Sequence, residues 1–190
     1  MKKPLLAFAL VVSSSLIAVT AQMSGMNMEK SMSALQTATG KTFDIYWMSQ
    51  MIAHHGGAVE MAQTELKDGK NAEIKKAAQS IITNQNREIA QMTAWLRTWY
   101  GAKPDAKQIA LMKADLEPMM KQSSGGMAGM GSADRDFLEA MIPHHGSAVD
   151  MSQLALKKAL RPELKVFARQ VIKDQSAEIK QYQAWLKTMK

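Results

Sequence analysis

Met51-Ile-Ala-His-His-Gly-Gly-Ala-Val-Glu-Met61 returns as Met141-Ile-Pro-His-His-Gly-Ser-Ala-Val-Asp-Met151, and this repetition decides the fold. The match continues without a gap from Asp44/Asp134 to Leu96/Leu186. All four histidines of the chain lie in the two copies, as the adjacent pairs His54-His55 and His144-His145. A unit of this length is one supersecondary block, which must bury its apolar face against its twin.

Working outward, each copy reads as two long helical patterns joined by a break. In the first copy the break is Asp68-Gly69-Lys70-Asn71, and Gly101 is a natural stop after the second helix. In the second copy it is Leu160-Arg161-Pro162, with Pro162 suited to the first helical position. Valine and isoleucine recur at helical spacing and no alternating strand pattern is present. The expectation is an all-α fold, a four-helix bundle built from two duplicated antiparallel helical hairpins. It occupies residues 43–190: one repeat over 43–100, a connector over 101–132 and a second repeat over 133–190. Residues 104–120 read as a short helix or turn-rich stretch, followed by a glycine-rich link carrying Met127 and Met130.

Residues 1–21 combine Lys2 and Lys3, an apolar run and small residues before position 22, the pattern of a cleaved export signal. A periplasmic or secreted location is therefore expected, with no membrane association after cleavage. Residues 22–42 carry Met23, Met26 and Met28 among polar residues and read as a flexible, methionine-rich tail. The net charge of +7 falls when the two signal lysines are lost, and the remainder is spread out, which argues against nucleic acid.

An exported chain with no cysteine has neither disulfides nor thiolate sites. Histidine, carboxylate and thioether remain as strong ligands, and 17 methionines are available. On a helical wheel of about 100° per residue, Met48, Met51, His55, Val59, Ala62 and Leu66 share one stripe. His55 and His145 are thus expected inside, with His54 and His144 on the outward flank near Met61 and its counterpart. Gln85, Glu88, Gln175 and Glu178 fall on or beside the buried face of the partner helices, with Gln85 level with His55 and Glu88 level with Met51. A buried carboxylate needs a partner. It can find one either in a metal ion or in the inward histidines, in which case the polar layer only fixes register. Met48, Met92, Met112 and Met189 read as core filler.

With Ile82/Ile172-x-x-Gln-x-x-Glu-Ile and Trp95-Leu96/Trp185-Leu186 added, the repeated motif resembles the domain of unknown function 305 family over residues 43–190. The resemblance implies a ferritin-like four-helix fold, export and copper binding. Carried over position by position, it selects His54, His55, His144 and His145 as ligands, with Met51, Met61, Met141 and Met151 around them. Pro143 replaces Ala53 of the first copy, which is expected to bend the third bundle helix and make the two sites inequivalent.

Three functions compete. The leading one is a non-enzymatic copper carrier or sequestering protein, contributing to copper homeostasis or resistance. It would hold Cu(I) or Cu(II), with silver as a mimic, through His/Met sites supplied by Met23, Met26, Met28, Met127 and Met130 as auxiliary ligands. Its partners would be metal ions and another envelope copper-handling protein. The second is a dinuclear-metal oxidoreductase, although the Glu-x-x-His spacing of such bundles is replaced by Gln-x-x-Glu. The third is a metal-free envelope interaction module with Trp47, Trp99 and Tyr100 as an exposed patch.

Overall fold

Asn71 and Gly101 mark the ends of one long helix, each by its own chemistry. The Asn71 side chain accepts from the backbone N–H groups of Glu73 (2.9 Å) and Ile74 (3.3 Å), satisfying donors that the helix leaves free. Gly101 adopts the left-handed φ of 60°, and the Gly101 and Ala102 N–H groups close on the carbonyls of Arg97 and Leu96. Ser132 caps another helix by accepting from Arg135 N–H, and Pro162 opens the last one as expected.

A computed structural model describes residues 28–123 and 132–189. They form α1 (Glu29–Thr37), α2 (Gly40–Asp68), α3 (Ala72–Tyr100), α4 (Ala106–Ser123), α5 (Ala133–Lys158) and α6 (Pro162–Thr188), with no strand among the described residues. The hairpins α2–α3 and α5–α6 are the two repeats, and α2 packs on α5. Pro143 lies inside α5, which continues through it.

An approximate two-fold relation governs how the hairpins meet. Asp44, near the start of α2, accepts from the N–H groups of Leu160 (2.9 Å) and Arg161 (3.2 Å) in the α5–α6 turn. Asp134, its counterpart in α5, accepts from Lys70 (3.0 Å) and Asn71 (2.9 Å) in the α2–α3 turn. Each repeat thus caps the other's turn with its first conserved-in-the-repeat residue, which sets α2 and α5 antiparallel and fixes their register.

One expectation about the connecting segments is corrected, and of the two readings of the connector the helical one holds. The tail expected over 22–42 is helical from Glu29 onward. Met28, Ser31, Leu35 and Ala38 are buried, so positions 28, 31, 35 and 38 form a short helical stripe that the polar composition obscured. Ser31 N–H donates to Asp115 (3.0 Å), and Gln50 donates to Ser31 O (3.0 Å) and to Gln108 (2.7 Å), tying α1, α2 and α4 together. The connector contributes a full helix, α4, laid against both α2 and α5. Residues 1–21, together with Met23, Met26, Met127 and Met130, lie outside the described residues.

The apolar interior divides into two clusters. One gathers Phe43, Trp47, Met51, Leu96, Met151 and Phe167; the other gathers Met61, Ile81, Phe137, Met141 and Tyr182. Trp47 is fully buried, donating to Met151 O at 2.9 Å, so it forms no surface patch. Trp99 and Tyr100 are half-buried beneath the Arg161 guanidinium. Met48, Met92 and Met112 are fully buried core residues.

Candidate metal centre

The histidine pairs fall at the middle of α2 and α5, where the two helices meet. His54 and His144 face each other with ring centroids 3.8 Å apart and planes tilted by 39°. Both are fully buried, as are His55 and His145. The outward placement expected for His54 and His144 is therefore wrong. A single-stripe wheel assumes one buried face, whereas α2 is covered by α3 on one side and by α4 and α5 on others.

Hydrogen bonding identifies the tautomer of His54. Its Nε2 lies 2.7 Å from Ser147 Oγ and 3.1 Å from His144 O. The Ser147 hydroxyl donates its one hydrogen to His144 O at 2.7 Å, so it can only accept from the imidazole. Nε2 carries the proton, and the lone pair sits on Nδ1, buried and without a hydrogen-bond partner. The His144 ring lies in turn against the His54 backbone carbonyl, but neither of its nitrogens reaches hydrogen-bond geometry.

His55 Nε2 donates to Glu88 Oε2 at 2.7 Å, again leaving a buried, unpartnered Nδ1. His145 Nε2 lies 2.8 Å from Glu178 Oε2 in a contact whose angle falls short of a hydrogen bond, and its Nδ1 is likewise free. Glu88 reaches His55 directly, rather than standing one turn away as the depth count suggested. Gln85 and Gln175 are buried nearby on α3 and α6, each with an unpartnered Oε1.

The motif methionines flank this layer. Met51 and Met151, one from each repeat, belong to the apolar cluster on one side; Met61 and Met141 belong to the cluster on the other. All four are buried. The antiparallel crossing explains the pairing, because residues before the histidines in α2 meet residues after them in α5. Among the described residues, no three His, Asp or Glu side chains converge as ligands of a single ion. A Domain of unknown function (DUF305) family model matches residues 15–96 and 70–186.

The chain belongs to the DUF305 family. It is similar to CopM, whose Cu(II)-bound form is 32% identical, with 77% of this chain and 98% of that chain covered at a TM-score of 0.63. CopM in the Cu(I)-bound form is 33% identical over 76% of this chain and 95% of that one, also at 0.63. CopM has been crystallised in Ag-bound forms as well. A DUF305 fragment from Deinococcus radiodurans is 27% identical over 77% of this chain and 96% of that one, at a TM-score of 0.66. No curated protein matches. Among the described residues, no helix of this DUF305 protein is long and apolar enough to cross a membrane.

Electrostatics keep the central imidazoles of this DUF305 protein neutral. Burial, followed by the neighbouring histidines, holds His54 and His144 well below the ordinary histidine range. At the end of α2, burial and the adjacent Asp134 carboxyl push Glu65 up to about 8. The two effects oppose each other. Below pH 6.5 the unfolded chain protonates histidines that the folded chain keeps neutral, so stability falls as pH drops toward the depressed values. Glu65 is protonated in the folded state between 4.5 and about 8, so its contribution is lost as pH rises across that range. Just below pH 6.5 the two histidines outweigh the one carboxyl, and above it the carboxyl acts alone. The metal-free protein is therefore expected to be most stable near pH 6.5 and to lose stability on either side. Urea unfolding from pH 5 to 8 checks this; a flat profile contradicts it.

Ser147, which fixes the tautomer of His54, escaped the sequence reading. The one available signal was its pairing with Gly57 at the same position of the other repeat.

Proposed function

We propose that this protein is an exported, non-enzymatic copper-binding protein that sequesters or ferries Cu(I) and Cu(II) through His54, His55, His144 and His145, with Met51, Met61, Met141 and Met151 as thioether donors. One observation carries the reading: all four histidines are fully buried, and every Nδ1 is without a hydrogen-bond partner. Burying an unsatisfied imidazole nitrogen costs roughly 1–3 kcal/mol. A layer of four such groups is poor architecture, but it suits a cation that accepts their lone pairs. Neutral imidazoles need no deprotonation before binding a metal.

The donor chemistry selects the ion. Imidazole serves either copper oxidation state and thioether favours Cu(I), whereas hard cations prefer oxygen. Since no three His, Asp or Glu side chains converge among the described residues, methionine sulfur is the natural completion of each site. CopM, the copper- and silver-bound relative, supports the same cargo for this chain. Met23, Met26, Met127 and Met130 act as auxiliary donors that pass ions inward, whereas Met28, buried against the core, is withdrawn from that set, and export follows from the leader-like residues 1–21. The resulting role is copper homeostasis or resistance in the cell envelope, with another copper-handling protein as donor or acceptor.

Glu88 and Glu178 hold the rings of His55 and His145 from the side away from Nδ1, the usual outer partnership of a metal-binding imidazole. Replacing both by glutamine is expected to weaken Cu(I) affinity about 10–100-fold. A competition titration against a Cu(I) chelator measures this. Unchanged affinity would count against these histidines as ligands.

A further inference from the structure

The two repeats part company where α3 faces α6. A groove of about 230 Å³ runs between Glu73, Ala77 and Ser80 of α3 and Glu178, Tyr182 and Trp185 of α6. The counterpart of Ala77 in the second repeat is Phe167. Phe167 is buried and sets its ring edge-to-face against Trp95 at 5.5 Å and Trp47 at 6.2 Å. Aromatic bulk thus fills beside Trp95 the space that Ala77 leaves open beside Trp185. The glutamates that hold the histidines register the difference, the Glu178 side chain being 27% exposed and that of Glu88 14%.

The groove leads to a histidine held less firmly than its twin. His55 Nε2 donates to Glu88 at 2.7 Å. His145 Nε2 stands 2.8 Å from Glu178 without hydrogen-bond geometry, and both of its nitrogens are buried and unpartnered. Glu178 therefore meets water on one side and an uncommitted imidazole on the other. We propose that this groove is the port by which a copper ion enters and leaves the buried histidine layer, with Glu178 receiving it and His145 taking it inward. A cation leaving water for a buried site loses hydration, and a carboxylate at the boundary offsets part of that cost. Glu73 and Lys76 on the rim balance each other, so Glu178 supplies the net charge that faces the ion. The Tyr182 ring, 5.9 Å from that of His145, walls the passage. With no hydrogen bond to break, the His145 ring turns at lower cost than His55, which must give up its bond to Glu88.

The port rests on the copper reading above, but it governs rates where that reading governs affinity. Ala77→Phe reproduces the closure found beside Trp95. Ser80→Trp covers the groove from an exposed helix position and carries the test if the larger ring at 77 disturbs packing. Cu(I)-loaded protein is mixed with an excess of a chromophoric Cu(I) chelator, whose colour reads release; equilibrium competition with the same chelator reads affinity. Narrowing a path without altering either end state slows entry and release by the same factor. The expected result is release slowed about tenfold or more in each variant, with the affinity unchanged. Release as fast as the parent's from the folded variants would overturn the port while leaving copper binding intact. A change in affinity that accounts for the change in rate would also overturn it, since the groove would then belong to the binding site rather than to the path. Failure of the parent chain to take up Cu(I) would overturn both.

Discussion

Replacing the stacked pair by leucine, His54→Leu with His144→Leu, is expected to stabilise the metal-free protein by at least about 2 kcal/mol while removing metal affinity. The reason lies in three nitrogens, His54 Nδ1 and both of His144, that are buried without hydrogen-bond partners. Each costs roughly 1–3 kcal/mol that an apolar side chain of similar size does not incur. Against this stands the loss of the His54 bond to Ser147, about 1 kcal/mol, while Ser147 keeps its own bond to the His144 backbone. The double variant should also lose the acid-side decline in stability, because no histidine with a depressed pKa remains at the crossing. Urea denaturation at pH 5.5 and 7 reads both effects. If the imidazoles serve only to fix bundle register, the variant will instead be less stable than the parent. A gain in stability joined to a loss of binding is the signature of a site retained for function.

The second large effect concerns Asp44 and Asp134. Asp44→Ala leaves the Leu160 and Arg161 N–H groups and the Tyr100 hydroxyl, which donates to it at 2.6 Å, without their acceptor. Three lost donors at a buried carboxylate are expected to cost about 3–5 kcal/mol, a large share of the stability of a single domain. Asp134→Ala strands only the Lys70 and Asn71 N–H groups, and it relieves the pressure on Glu65. Its cost should be smaller, about 2–3 kcal/mol, and should shrink further as pH rises toward 8. Equal costs at all pH values would contradict the proposed coupling between Glu65 and Asp134.

These aspartates illustrate what the chain discloses by itself. They begin the ungapped repeat, so their importance was visible, but their partners were not, since a capping contact between repeats depends on how the hairpins cross. The hairpins themselves were legible because Asn71, Gly101 and Pro162 end or start helices by local chemistry. Helix α1 was missed because serine, lysine and glutamine dominate it, and its buried stripe of Met28, Leu35 and Ala38 is thin. The histidines were correctly singled out, yet His54 and His144 were assigned to a flank. Their burial depends on α4, a helix outside the repeat, and periodicity within one helix carries no information about neighbours on its second and third faces.

The central claim, that the buried histidine layer exists to hold copper, is tested most directly by titrating Cu(I) and Ag(I) into the parent chain and into a variant with His54, His55, His144 and His145 all changed to alanine, with helicity monitored in both. Tight uptake by the parent and its loss in the helical variant is the predicted result. Equal uptake by both would move binding to the methionines, and no uptake by either would reduce the histidine layer to bundle architecture; each contradicts the claim.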